Sequence, residues 1–332
     1  MGIIVQKFGG TSLKNISKES EFLKHIKKEV SEGNNLVIVV SAMGRNGDPY
    51  ATDTLIKQLE KIYKKIDPRK KDLIMSCGET ISAAIVSHLL ESEGLPAEPL
   101  TGFQAGILTD ENFNSGKILG INTSKIFKIL NRNKIVVVAG FQGITSNMDI
   151  TTLGRGGSDT SAVALGGFLK ADRVDIFTDV TGIAITDPRI IPNVKYIEKI
   201  SYDDMYKLAS NGATVIHPNA VELGREFKIP IRVLSTFENN SGTLISNYGN
   251  NKEKIIGIGI KKHDEDEAIS IIFNPEYRDV IMVKLDEFIS EEREKILSIN
   301  HSEYKVTLLV KDEEKTYIVQ KLYDFLIESQ LR

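Results

Sequence analysis

The chain has 332 residues, 41% of them hydrophobic and 26% charged, with a formal net charge of −3 at pH 7. That length exceeds one ordinary core and predicts two domains, while the interspersed charges exclude the basic stripe of a nucleic-acid binder. Cys77 is the one cysteine, which excludes an internal disulfide and a cysteine-rich zinc site, and the five histidines show no metal-ligand spacing. No apolar run approaches the ~18 residues that span a bilayer, and Met1–Phe8 lacks the basic and apolar regions of a secretion signal. The expectation is a cytoplasmic protein with neither nucleic acid nor membrane as partner.

Ile3–Phe8 is a short apolar run ending at Gly9-Gly10, the pattern of a buried strand entering a tight loop. Ile16–Val30 carries Phe22, Leu23, Ile26 and Val30 at helical spacing and stops at Gly33-Asn34. Leu36–Val40 reads as a buried strand, Asp53–Ile66 as a helix stopping before Pro68, and Glu79–Glu91 as a helix. Ile135–Ala139 (strand), Ser158–Leu169 (helix), Val174–Thr178 (strand), Asn219–Phe227 (helix) and Ile231–Leu234 (strand) continue the alternation to about Ile245. Wholly apolar strands between amphipathic helices predict an α/β fold, a mostly parallel central sheet with helices on both faces. The polar stretch 247–254 reads as a linker between residues 1–246 and 255–332. Beyond it, strands at Ile255–Ile260, Ala268–Phe273 and Lys305–Val310, with helices at Asp279–Phe288 and Thr316–Glu328, predict a small α+β domain.

Three glycine-containing turns follow predicted strands: Lys7–Ser12, Ala139–Gly143 and Leu153–Ala162. In open α/β sheets ligands bind beyond the carboxyl ends of the strands, where such turns lie, and exposed amides at a helix start bind phosphate. Neither a P-loop nor a Gly-x-Gly-x-x-Gly spacing is present. Lys7, Arg155 and Asp159 in these turns point to phosphate handling.

At these residues the sequence resembles the aspartate kinases of the amino acid kinase family. The marks are KFGGTS (Lys7–Ser12), SAMG (Ser41–Gly44) with ATD (Ala51–Asp53), SCGE (Ser76–Glu79), GFQG (Gly140–Gly143) and GRGGSDTSA (Gly154–Ala162). FTDVTG (Phe177–Gly182), DPR (Asp187–Arg189), HPNAVE (His217–Glu222) and IPIRV (Ile229–Val233) complete an ordered set. The resemblance implies ATP with nucleotide-borne Mg²⁺, L-aspartate as substrate, and a homo-oligomer, a dimer. It implies that Lys7 contacts the transferring phosphoryl group beside Phe8 and the amides of Gly9 and Gly10, with Asp159 positioning Lys7. It places Arg155 on the substrate α-carboxylate, with Thr52, Glu79, Gly156, Gly157 and Ser158 completing the aspartate pocket. Thr178, Asp179, Arg189 and Lys228 would line the nucleotide site, and no metal is held by a protein cage. A carboxylate nucleophile is ionised at neutral pH and needs no general base, which fits the lack of a catalytic histidine.

Plainer readings stand beside these. Glu79 fits the first turn of a helix, where the dipole favours acids. Arg155 and Asp159 fit a mutual pair, Thr178-Asp179 a cap or turn, and Lys228 a solvated lysine. His217 before Pro218 fits a capping residue, and Cys77 a small buried one. The sequence departs from the pattern at Ile183–Ile185, where a tyrosine or similar group is usual, and at Asn219 in place of arginine. Its tail has room for one ββαβ-like, ACT-type module, Ile255–Leu331, whose turn Asn274–Arg278 is charged and lacks a glycine-rich effector loop. Feedback by lysine or threonine is therefore expected to be weak, altered or absent, with a dimerisation role as the alternative. The rival functions are another amino acid kinase reaction and a non-catalytic metabolite sensor.

Overall fold

The computed structural model describes residues 2–249 and 254–328, so the middle of the expected linker and the last residues of the chain lie outside the described residues. The chain runs β1 (Ile3–Phe8), α1 (Glu21–Ser31), β2 (Asn35–Val40), α2 (Thr52–Glu60), α3 (Pro68–Ser92), β3 (Ala97–Leu100), β4 (Ile107–Thr109), β5 (Ile118–Ile121), α4 (Ser124–Leu130) and β6 (Ile135–Ala139). It continues with β7 (Gln142–Ile144), β8 (Ile150–Thr152), α5 (Gly157–Leu169), β9 (Arg173–Thr178), β10 (Ile183–Ala184), β11 (Tyr196–Ile197), β12 (Lys199–Ser201), α6 (Tyr202–Ser210), α7 (Pro218–Phe227), β13 (Ile231–Ser235) and β14 (Thr243–Ser246).

The main sheet has the order β12-β14-β13-β9-β1-β2-β6-β3 and is parallel from β13 to β3. Alternation along its strands sorts two cores. Val5, Val37, Val39, Val136 and Val138 face α4, α5, α6 and α7. Ile4, Phe8, Leu36, Ile38, Val40 and Val137 face α1 and α3. Both faces of each central strand are buried, which is why these strands read as unbroken apolar runs. A small second sheet, β5-β4-β7-β8, lies between β3 and α5 in the chain and delivers the loop that precedes α5.

The helix bounds differ from expectation at instructive places. Helix α1 begins at Glu21, with Ser20 before it, and not at Ile16. Helix α2 ends at Glu60, and Pro68 opens the next helix instead of ending the last one: Asp67 accepts hydrogen bonds from Arg69 and Lys70 amides, and proline suits the first helical position. Glu79 therefore sits in the middle of a 25-residue helix, which removes the first-turn reading. By length and composition α3 is apolar enough to cross a membrane, against the expectation that no run approaches that length. Its 18-residue window has mean hydropathy 1.5 because small residues separate its few charges, and 56% of that window is buried in the fold. Among the described residues it is the one such helix.

Past the linker come β15 (Ile255–His263), β16 (Asp266–Phe273), α8 (Arg278–Glu291), β17 (Ile296–His301), β18 (Lys305–Lys311) and α9 (Lys315–Tyr323). They form an antiparallel sheet in the order β15-β16-β18-β17 over a core that includes Phe273, Leu285, Phe288, Leu308 and Leu322. Among the described residues, four strands and two α-helices stand in place of the expected ββαβ outline. The order is that of a ferredoxin-like unit whose outer strand, β15, is supplied from the linker side, and it is consistent with an ACT-like domain. The unit is packed onto the first part: Ile185, Ile191 and Val194 belong to its core, the Ile258 amide donates to the Ile185 carbonyl at 2.7 Å, and Lys305 Nζ to Asn211 Oδ1 at 2.7 Å.

Gly78, inside α3, has no room for a side chain: a Cβ there would stand 2.7 Å from Ala42 Cβ and 2.9 Å from the Tyr50 carbonyl oxygen. A glycine-to-alanine change in a helix interior ordinarily gains about 1 kcal/mol. Gly78→Ala is expected to do the opposite, lowering the melting temperature by several degrees in thermal denaturation.

Candidate active site

Parallel strands all end on one side, and there β1, β2 and β9 end close together, with Lys7 in register with Val39 and Ile176, and Phe8 with Val40 and Phe177. Lys7 Nζ pairs with Asp159 Oδ1 at 2.7 Å, both side chains nearly buried. Asp159 lies in the first turn of α5, and Gly156, at its N-cap, takes the left-handed conformation with φ of 66°. A Cβ on Gly156 would fall 2.2 Å from His217 Cβ, so the loop Leu153–Gly157 passes against the start of α7 only because that side chain is missing. The Gly157 amide is already bonded to the Gly154 carbonyl at 3.1 Å, and the positive end of the helix dipole lies at the turn that carries Asp159. In the first glycine turn, a Cβ at Gly10 would lie 2.5 Å from the Ala42 carbonyl oxygen, which fixes glycine there. Gly9 leaves space beside the Lys7 ammonium and the end of β9.

A cavity of about 470 Å³ opens at this point, lined among others by Lys7, Thr52, Glu79, Arg155, Ser158 and Asp159. Glu79 enters it from α3. The Ala42 amide donates to its Oε1 at 3.1 Å, while its Oε2 is buried with no hydrogen-bond partner. Burial pushes its carboxyl up from the usual 4.5 to about 8, and the two backbone hydrogen bonds only partly oppose that. Arg155 is exposed at the rim and makes no ion pair among the described residues, so the reading of it as a partner of Asp159 fails: Asp159 is taken by Lys7. A partnerless guanidinium and a partnerless buried carboxylate oxygen in one cavity are complementary to a small zwitterion.

A second cavity, of about 660 Å³, is lined by Asp179, Gly182–Ile190 and Gly212–Val215, and on its far wall by Ile258–Ile260, Lys262 and Lys315. Asp179 and Arg189 both line it, each with a partner of its own: Asp179 pairs with Arg45, and Arg189 forms a fork on Asp187 that holds the Asp187 carboxyl below its usual range. Thr178, at the end of β9, donates to Asp179 at 3.2 Å.

Of the sequence-derived residues, the structure brings together Lys7, Thr52, Glu79, Arg155, Gly156, Gly157, Ser158 and Asp159 on the first cavity, and Asp179 with Arg189 on the second. Two do not fit. Lys228 caps the C-terminus of α7 just before β13, at the amino ends of the parallel strands and so on the opposite side of the sheet from Lys7. The Phe8 side chain is fully buried and stacks on Phe177 at 4.8 Å, so only its backbone is near the glycine turn. His217 caps α7, its Nδ1 accepting from the Asn219 amide at 3.4 Å, and burial depresses its pKa. Cys77 is exposed, contrary to expectation, because it points off the outer face of α3. The sequence reading missed Asp72, Asn114, Thr152 and the Gly212–Val215 wall, although Asp72, seven residues before Glu79, falls on the same helix face.

The amino acid kinase family model matches residues 2–235. This chain belongs to the amino acid kinase family. It is 49% identical over 252 residues to aspartokinase 1 of Bacillus subtilis, covering 76% of this chain and 62% of that one. It is 43% identical over 272 residues to the aspartokinase of Geobacillus stearothermophilus, covering 82% of this chain and 66% of that protein. The chain therefore spans less than two thirds of the length of these relatives. The solved aspartate kinase of Synechocystis superposes with a TM-score of 0.64 at 29% identity, covering 97% of this chain and 69% of that one.

Because the buried Glu79 carboxyl is raised, its contribution to stability is complete below about pH 4.5 and is lost as pH rises through about 8. Glu79→Gln is expected to flatten the decline in stability across that window, as read by urea denaturation at a series of pH values. An unchanged slope would show that Glu79 ionises freely.

Proposed function

We propose that this chain is an aspartate kinase, which transfers the γ-phosphoryl group of ATP to the β-carboxylate of L-aspartate to give 4-phospho-L-aspartate, the first step toward diaminopimelate, lysine, threonine and methionine. The observation that carries the reading is the single cavity that joins the Lys7–Asp159 pair to an unpaired Arg155 and a half-satisfied Glu79. The naming of the relatives as aspartokinases supports it. Residues 1–246 would do the chemistry, while 255–332 would form an ACT-like unit and 247–254 the link between them.

In this reading Arg155 grips the α-carboxylate with its planar fork, and Glu79 Oε2 accepts from the ammonium. Those two contacts orient the β-carboxylate toward Lys7, with Thr52 and Ser158 at the sides. The β-carboxylate is already ionised, so the protein's task is to hold two anions together and to offset charge on the moving phosphoryl group. Lys7 supplies that charge, Asp159 keeps its ammonium in place, and the amides of Gly9, Gly10 and the start of α5 face the same point. Asp179 and Arg189 would hold the nucleotide in the neighbouring cavity. Among the described residues no group of three or more His, Cys, Asp or Glu side chains is placed to hold a metal ion. In this reading Mg²⁺ would be carried on the nucleotide phosphates beside Asp159, where it would neutralise phosphate charge. A cytoplasmic homodimer belongs to the same reading, by way of the resemblance.

Purified protein with Mg-ATP and L-aspartate is expected to yield aspartyl hydroxamate when trapped with hydroxylamine, and Lys7→Ala to lose about 10²–10³ in turnover. Product from glutamate or acetylglutamate but not from aspartate would overturn the substrate assignment. The turn Asn274–Tyr277 is closed on itself, Asn274 accepting from the Glu276 amide at 3.2 Å, with no glycine-rich loop. Lysine and threonine at millimolar concentration are therefore expected to leave the rate within twofold. A saturable inhibition curve for either would contradict this.

A further inference from the structure

Asp72 precedes Glu79 by two helical turns on the same face of α3. It is fully buried, yet its carboxylate accepts three hydrogen bonds: from the Thr152 amide at 2.9 Å, the Thr152 hydroxyl at 2.7 Å and the Asn114 amide at 2.9 Å. Charge buried in this way is tolerated only because donors surround it. The two segments it grips form the floor of the substrate cavity. Thr152 ends β8, three residues before Arg155, and Asn114 backs onto Gly154, where a Cβ would meet the Asn114 carbonyl oxygen at 3.1 Å. Asn114, Thr152 and Gly154 all line the cavity. Glu79 and Arg155 come from different elements, α3 and the loop after β8, and Asp72 is bonded from the first element to the second.

We propose that Asp72 is a positioning residue that fixes the spacing between Glu79 and Arg155, and so sets which amino-acid backbone the site accepts. This rests on the reading of the cavity as the aspartate site. The carboxylate contacts no substrate itself; it holds the β8 end and the Asn114 turn against α3, and with them the spacing between the ammonium acceptor and the carboxylate fork. An acceptor-only group is required, because three donors converge on it. An amide of the same shape would turn its own N–H groups against at least one of them.

The test is steady-state kinetics of Asp72→Asn, Thr152→Val and the double variant, with melting temperatures taken alongside. Asp72→Asn is expected to raise KM for L-aspartate tenfold or more, to leave KM for ATP within twofold, and to weaken discrimination against succinate, which lacks the ammonium. Thr152→Val, which removes one of the three donors, is expected to raise the same KM about threefold, and to add nothing in the Asp72→Asn background. A merely structural role would lower the melting temperature and the active fraction without separating the two KM values, and that result overturns the proposal. Should Asp72→Asn fail to fold, an unchanged aspartate KM in Thr152→Val overturns it equally. Wild-type protein that turns over no aspartate would defeat the reading of the cavity, whereas normal turnover with unmoved variants would defeat only the role of Asp72.

Discussion

The Lys7–Asp159 ion pair is the contact on which the rest of the site depends. It joins the end of β1 to the first turn of α5, and thereby brings the glycine turn after the first strand to the N-terminus of a helix that begins some 150 residues later in the chain. Burying such a pair returns little net stability, since the desolvation of both charges roughly offsets their attraction. Its value lies in holding a cation, stripped of most of its water, where a phosphoryl group would pass. The left-handed Gly156 and the crowded Gly10 serve the same end, letting backbone approach where a side chain would block it.

Around that pair the charges are arranged unequally. Glu79 is buried, held up near 8 and left with one unsatisfied oxygen, whereas Arg155 stands at the rim in solvent. In the proposed reading an ammonium would relieve the buried Glu79 oxygen, and the exposed guanidinium would hold the carboxylate. Asp72 supplies the mechanical tie between the two. The second cavity adds a different constraint, because its wall includes β15, so the C-terminal unit shapes the space beside Asp179 and Arg189 as well as its own core.

The parts legible in the sequence were those with one dominant physical cause. Strands β1, β2, β6, β9 and β13 are buried on both faces and so appear as aliphatic runs, and Gly10 beside β1 is forced by close backbone contacts. Strands β4, β5, β7 and β8 are three or four residues long and carry no such run, so the small sheet went unseen although it positions Arg155. Pro68 was read as a stop when, after the capping Asp67, it is a start, and that error hid the helix interior that carries Asp72 and Glu79 on one face. Lys228 was placed by motif alone; only the direction of β13 reveals that it lies on the wrong side of the sheet. The C-terminal unit lost a strand because β17 is largely exposed and polar, with little apolar alternation to mark it.

On the proposed reading one substrate carboxylate is the nucleophile, the one that Arg155 would not hold. Incubating the protein with Mg-ATP and L-aspartate labelled with carbon-13 at both C1 and C4, and following the product by carbon-13 NMR, reads both carboxyl carbons directly. The account predicts that the C4 resonance splits by coupling to phosphorus while C1 stays a single line. Phosphorus coupling at C1, or none at either carbon while ATP is consumed, would contradict it.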